Sequence, residues 1–450
     1  MSSRGSSPSL IERATRLDLL VLGAMGLIEG GGVAVSGELR FPSPFEVPTP
    51  PGCEGWEEMY PYYVLFSEDR RAEEEGRLWF YNGMHFPEVM TPFDIITAEA
   101  PYVAIGEMSS RIFCLPPAMG IDFRVLNGYI YISPTPVTDP QAIQERAKLF
   151  ERRAGYYYAN WSSIYDEWKQ KLIREIEELK AIPFPSLPDV EDEKIVFERR
   201  GIGTSYDVLR SYHQVIESIY RVWQIHMEIV IIGFGAYLAF YDFCKRSFPE
   251  ITDQEVTRMV GAIDVSMFRP NYELMRLARK AVELGVADYF KLGSSPTEVF
   301  AQLEQVEAGR AWLAEWQQSA DPWFYMNSGD GFQHHHRAWV DDPTPIFNVL
   351  PDYINRLQRG ESLERDVDAL RAQRDRVTEG YRNLLQTDED RGAFDQLIKL
   401  VRDVYYSMED HKFYVEHWYQ SVFWNKMREL GQLFVSHGFF SDVDDVFYLH

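Results

Sequence analysis

Three consecutive histidines followed by an arginine, His334-His335-His336-Arg337, are the sharpest chemical signal in this chain of 450 residues. A glycine-rich entry, Asn327-Ser328-Gly329-Asp330-Gly331, leads into them, and Trp339-Val340-Asp341-Asp342 follows. In a loop such neighbours point in different directions, so one or two imidazoles can face a cleft. Imidazole titrates near neutrality and can take a proton from a hydroxyl. The Arg337 guanidinium has the planar fork that holds a phosphoryl group. A metal site stays open as a second reading, although adjacent histidines rarely share one ion and no HExxH accompanies them. A structural role is the third.

A second constellation is helical. Asp410, Tyr414, His417, Ser421, Asn425 and Arg428 follow one another at spacings of 4, 3, 4, 4 and 3, which places all six on one face. The other faces carry Phe413, Val415, Trp418, Val422, Phe423, Trp424 and Met427. A helix apolar nearly all round is buried, so its one polar stripe lines an internal cleft or enters a polar network. A third set, His213, Glu217, Arg221, Gln224 and Glu228, also shares a face, and ion pairing between helices accounts for it. Nearer the N-terminus, Gly83-Met84-His85-Phe86-Pro87-Glu88-Val89-Met90-Thr91-Pro92 is a compact segment after an aromatic run, and Arg124 precedes an Asn127-Gly128 turn. Each fits a structural role on its own. No GxGxxG, GxxxxGK[ST], GxSxG or CxxC occurs.

The elements that must position these groups form a predominantly α chain: a large helical body with a small N-terminal α/β lobe. Residues 1–40 read as a flexible tail and an N-terminal helix over 11–28. Residues 41–139 read as the lobe, with short β-type runs at 78–81, 102–105, 111–114 and 129–132 and a hairpin across Asn127-Gly128. Residues 140–450 read as the substrate-binding body. Its helices are expected over 141–179 (one or two), 205–248 with a kink near Gly233 or Gly235, 253–265, 272–284, 295–317, 346–359, 363–385 and 388–439, the last in more than one piece.

Composition bounds the function. Lys and Arg number 45 against 69 Asp and Glu, a net charge of −24, which opposes nucleic acid and anionic lipid as partners. Aromatic residues make up 14% of the chain, enough for a large core or a pocket for a flat organic ligand. Three cysteines without a CxxC suit a reducing cytoplasm. Residues 19–28 are apolar behind arginines, but Glu12 and Asp18 interrupt the basic stretch and Glu29-Gly30-Gly31-Gly32 is a poor cleavage context, so secretion is not expected. The uncharged stretch 229–241 is short of the ~20 residues a membrane span needs.

Several segments, taken in order, resemble the family of phosphoenolpyruvate-utilising dikinases, which takes in phosphoenolpyruvate synthase, rifampin phosphotransferase and phenylphosphate synthase. They are His85-Phe86-Pro87 with Thr91-Pro92; Val125-Leu126-Asn127-Gly128-Tyr129-Ile130-Tyr131; and Met408-Glu409-Asp410-His411, Arg428-Glu429-Leu430-Gly431, Gly438-Phe439 and Asp444-Asp445-Val446-Phe447-Tyr448-Leu449. The family's enzymes use an ATP-grasp domain, which binds ATP and Mg, and a mobile domain whose histidine lies in a Gly/Thr-x-Ser-His context. Neither is visible in this sequence, and His334 to His336 lie outside that context. The resemblance therefore implies the acceptor-binding part alone, as a separate subunit or a piece cut before the mobile domain. Phosphoryl would pass from the partner phosphohistidine to a hydroxyl, with a small phenolic molecule suiting the aromatic richness. On that reading His336 or His335 is the base, and Arg337, Arg124 and Arg428 are cations for the phosphoryl. His417 and Tyr414 orient the acceptor, and His334, Asp410 and Trp418 complete its pocket. No cofactor or metal is expected on this chain itself. A non-catalytic helical scaffold of the same fold and a metal-dependent hydrolase built on the histidine triplet are the rival readings.

Overall fold

The computed structural model describes residues 43–449; the helix expected over 11–28 lies outside them. The fold is predominantly helical with a small sheet-bearing region near its N-terminal end. The packing divides the chain into two compact units, 1–249 with 426–450, and 250–425.

The first unit holds one antiparallel sheet in the order β1-β3-β2: β1 Phe80–Tyr81, β2 Ala118–Leu126 and β3 Tyr129–Pro136. The expected hairpin is β2–β3. Asn127 and Gly128 both take positive φ, 51 and 81, as a two-residue turn matched to strand twist requires. Two of the expected β-runs are helical instead. Tyr102 to Ile105 belong to α1 (Ile96–Glu107), and Arg111 and Ile112 end a π-helical turn, Met108–Ile112, just before Cys114. A four-residue apolar run suits a buried helix as well as a strand. Here the buried alanines 98, 100 and 104 favour helix on every side of α1.

The segments that carried the family resemblance, apart from Met408 to His411, lie in this unit. The Met90 N–H donates to the Gly128 carbonyl at 2.9 Å, and the Phe93 N–H donates to the Phe447 carbonyl at 3.2 Å. The Tyr60 hydroxyl donates to the Met90 carbonyl. Asp442 and Asp445 form a capping box on the turn Val443–Tyr448. The sequence ending Asp444 to Leu449 is thus a clasp on the lobe.

Helices α2 (Pro140–Ala159), α3 (Trp161–Ala181) and α4 (Thr204–Ser247) complete the unit. Trp168, Leu172, Ile176 and Leu179 recur at helical spacing on α3 and are fully buried. The Trp168 indole donates to the Ile225 carbonyl of α4 at 2.8 Å. α4 runs as one element through Gly233 and Gly235. By length and composition it could cross a membrane, with a mean hydropathy of 1.5 in its most apolar window, yet 61% of that window is buried in the fold.

The second unit is helical: α5 Asp253–Val260, α6 Arg269–Glu283, α7 Pro296–Glu304, α8 Glu307–Trp323, α9 Thr344–Gln358, α10 Val367–Leu384 and α11 Asp388–His411. A π-helical segment, Lys412–Tyr419, follows α11 and leads into α12, Gln420–Ser436, within which the unit boundary falls. Much of the aromatic content sits in this unit's core. Phe290, Trp312, Trp316, Phe324 and Phe347 form a contiguous set of ring contacts between 4.8 and 5.9 Å. Such rings contribute area burial plus the attraction of tilted and offset-stacked pairs.

Candidate functional site

The histidine loop leaves the core at Phe324 and returns at Val340, whose N–H donates to the Phe324 carbonyl at 2.7 Å. Trp339 donates to Met326 at 2.8 Å and Ser328 to Arg337 at 3.1 Å, so the two arms are laced like a short hairpin. Between them the chain turns through Gly329–His336. Asn327 and Asp330 each accept a backbone N–H two residues on, at 3.2 and 3.1 Å, which fixes the turn locally. His334 is buried, His336 is half-buried, and His335 and Arg337 are exposed.

The polar stripe lies along the other side of this loop. Its members bond to backbone groups of the loop and its neighbours and, at Asn425, to a carboxylate. His417 Nδ1 accepts the Asn327 N–H at 3.3 Å, the Ser421 hydroxyl donates to the Tyr325 carbonyl at 3.0 Å, and the Asn425 amide donates to both Asp341 oxygens at 3.1 and 2.9 Å. Asp410 accepts the Ser266 N–H. The stripe thus resolves into a polar network that seats the loop. The π-helical segment adds the closest joint: the Glu416 carbonyl accepts the Asn327 amide at 3.1 Å. Gly331, at φ 83, sits so tightly on that carbonyl that a Cβ would stand 1.8 Å from it. Widened helical turns of this kind recur at functional sites because they re-aim backbone groups.

Five ionisable groups converge at the joint. His336 Nδ1 faces Asp330 Oδ1 at 3.2 Å, off the line of a hydrogen bond, with the ring 13% exposed. Burial holds His417 down near 4; nearby Lys412 and His336 act in the same direction and Asp330 opposes them. Burial also pushes the Glu416 carboxyl up to about 8, with Asp330 and Glu409 adding to the rise and Lys412 offsetting part of it. His411 Nδ1 lies 3.5 Å from Glu416 Oε1.

The two imidazoles are poised oppositely. His417 uses Nδ1 as an acceptor while neutral, so its proton sits on Nε2 and the ring offers a donor. His336 turns Nδ1 toward a carboxylate, which favours the proton there and leaves Nε2 to accept one. Glu416, Asp330 and Asn327 carry no assigned role in the sequence reading, where Glu416 only flanks the polar stripe. Asn327 and Asp330 stood in the glycine-rich entry, two residues and one residue from Gly329, and that was their only legible mark.

Other expected site residues stand differently. Trp418 is buried, with its ring 6.3 Å from Phe413 and 6.2 Å from Tyr414. Arg124 and Arg428 belong to the first unit, and both are engaged there. Arg124 pairs with the buried Glu74 at 2.8 Å and lies over the Trp79 ring. Arg428 pairs with Asp444 at 2.7 Å and lies 5.2 Å from the Phe447 ring. Both therefore contribute to the lobe and its C-terminal clasp, because an opposite charge and an aromatic face already occupy each guanidinium.

A recess opens beside the joint within the second unit. It holds about 280 Å³, and Val265, Met267, Phe268, Arg365, Glu409 and Lys412 are among the residues that line it. Lys412 bonds Glu409 at 2.9 Å and is the cation felt by Glu416 and His417.

Residues 226–409 match the family model of the rifampicin phosphotransferase fourth domain. No curated protein matches the chain. The match takes in the whole histidine loop and ends one residue before Asp410. It supports a relation to the phosphoenolpyruvate-utilising dikinase family.

Proposed function

We propose that this chain is the acceptor-binding component of a dikinase-type phosphotransferase, which passes a phosphoryl group from a partner's phosphohistidine to a hydroxyl of a small, phenolic molecule. The observation that carries the reading is the carboxylate-facing imidazole of His336, held half-buried on a loop laced at both arms and flanked by the exposed Arg337. The likeness of residues 226–409 to a phosphotransferase domain supports it.

In this reaction the N–P bond of the partner phosphohistidine breaks and its electron pair returns to the imidazole. The acceptor oxygen forms the O–P bond and its proton passes to His336 Nε2. Asp330 stabilises the imidazolium that results, and His417 Nε2–H offers a neutral donor to an oxygen of the reacting groups. Arg337, on the exposed side of the loop, meets the incoming phosphoryl. Positioning and electrostatics supply most of the acceleration in phosphoryl transfer. An ATP-grasp domain and a mobile phosphohistidine domain, with ATP and Mg, act as partners in a cytoplasmic assembly.

The test uses the full chain with ATP-grasp and phosphohistidine domains of the family added in trans, read by ³¹P NMR for an aryl phosphate. The chain alone consumes no ATP. His336→Ala lowers transfer by roughly 10²–10⁴-fold, as loss of a general base does, with the circular dichroism unchanged. A His336→Ala variant that transfers at the full rate rules out this base, and absence of aryl phosphate with all components present rules out the reaction.

A further inference from the structure

The recess at Val265–Phe268 and Tyr405–Lys412 has a chemistry narrower than a phenol pocket. Its volume, about 280 Å³, exceeds the ~150 Å³ that accommodates benzene in an apolar cavity and leaves room for one substituent. Ile263, Val265, Met267 and Phe268 form an apolar side suited to a ring face. The charged side is unbalanced toward cations: Lys412 and Arg365 against Glu409. Arg365 lies 4.6 Å from the centre of the Phe268 ring. Lys412 is shared: it bonds Glu409 at 2.9 Å with its side chain 42% exposed, so the pair can open without a large desolvation cost. One helical turn further along the same face stands Glu416, the buried carboxyl whose carbonyl clasps the histidine loop.

We infer that this recess binds a single-ring aromatic anion, its ring against Phe268 and Met267 and its anionic group taken by Lys412 and Arg365. Glu409 is then a built-in competitor, a carboxylate that holds Lys412 until a ligand's anion replaces it. The inference deepens the acceptor-binding reading: the anion is either a carboxylate carried by the acceptor or the phosphoryl group of the product. Two cations beside an apolar wall recognise both.

The experiment is calorimetric titration of the full chain, without partner domains, with benzoate, phenyl phosphate and benzyl alcohol. Both anions bind more tightly than the neutral alcohol. Benzoate ahead of phenyl phosphate assigns the anion to the acceptor, and the reverse order assigns it to the product. Lys412→Met weakens anion binding roughly tenfold, the scale of one charge-assisted hydrogen bond. Arg365→Gln weakens it by a smaller factor, and Glu409→Gln strengthens it, which a merely structural ion pair would not do. Equal affinity for benzyl alcohol and the anions, or anion binding unchanged in Lys412→Met, overturns the inference. Phosphoryl transfer to a neutral phenol in the three-component assay can succeed in that event, so failure here is separable from failure of the proposed reaction.

Discussion

Two long helices of this protein carry polar stripes of similar length and spacing, and they serve different ends. On α4, Arg221 pairs with Glu175 of α3 and with Glu217, each at 3.0 Å, while Glu228 takes Lys171 and the Tyr157 hydroxyl at 2.8 Å each. Side chains answer side chains there, and the result fastens α4 to α3 and α2. Along Asp410–Asn425 most of the stripe instead answers backbone groups: the Ser266 and Asn327 N–H and the Tyr325 carbonyl. A backbone group cannot leave its place as a long side chain can. The second stripe therefore positions a loop, and the loop carries the imidazoles. Polar periodicity marks a helix as having a polar task; the nature of the partner decides whether the task is fastening or positioning.

The comparison can be broken at several points. The largest effect is expected at Gly331. Alanine there takes a positive φ and drives its Cβ into the Glu416 carbonyl, which costs about 3 kcal/mol or more and displaces the loop. Chemical denaturation of Gly331→Ala measures it; a variant as stable as the parent would mean the loop and the π-helical segment are not seated on one another.

Next is Asn327→Ala, which removes the side-chain bonds to the Glu416 carbonyl and the Gly329 N–H, at 3.1 and 3.2 Å. A loss of roughly 2 kcal/mol is expected. Transfer should fall further than stability alone explains, with His336→Ala adding little on top, since both act through one loop.

Glu416→Gln sharpens the electrostatic side. The folded value near 8 lies above the ordinary 4.5, so between those values the folded chain holds a proton the unfolded chain has lost. Its contribution is full below pH 4.5 and is lost as pH rises toward 8. His417 runs the other way, held near 4 against an ordinary 6.5, and loses stability as pH falls between them. From pH 6.5 to 8 the Glu416 contribution declines alone of the two, by up to about 2 kcal/mol. Thermal unfolding across that window should show the decline in the parent and not in Glu416→Gln.

The smallest effect belongs to the fastening stripe. Arg221→Met removes an ion pair whose arginine is 42% exposed, so less than about 1 kcal/mol is expected and transfer should be unchanged. Loss of transfer in Arg221→Met would erase the distinction between the two stripes.

The sequence by itself determined that the chain is mostly helical and that a hairpin turns at Asn127-Gly128. Each follows from local chemistry: apolar recurrence at helical spacing, and a dipeptide that accepts positive φ. It also marked His336, Arg337 and His417 as residues able to do chemistry. Tertiary structure decided the rest. Which cations are committed depends on Glu74 and Asp444 arriving beside Arg124 and Arg428, from 50 and 16 residues away. The difference between the roles proposed for His417 and His336 rests on which partner faces Nδ1, an Asn327 N–H or an Asp330 carboxylate. Glu416 became notable only through burial, since a carboxyl's ionisation is set by the water and charges around it and not by its neighbours in the chain.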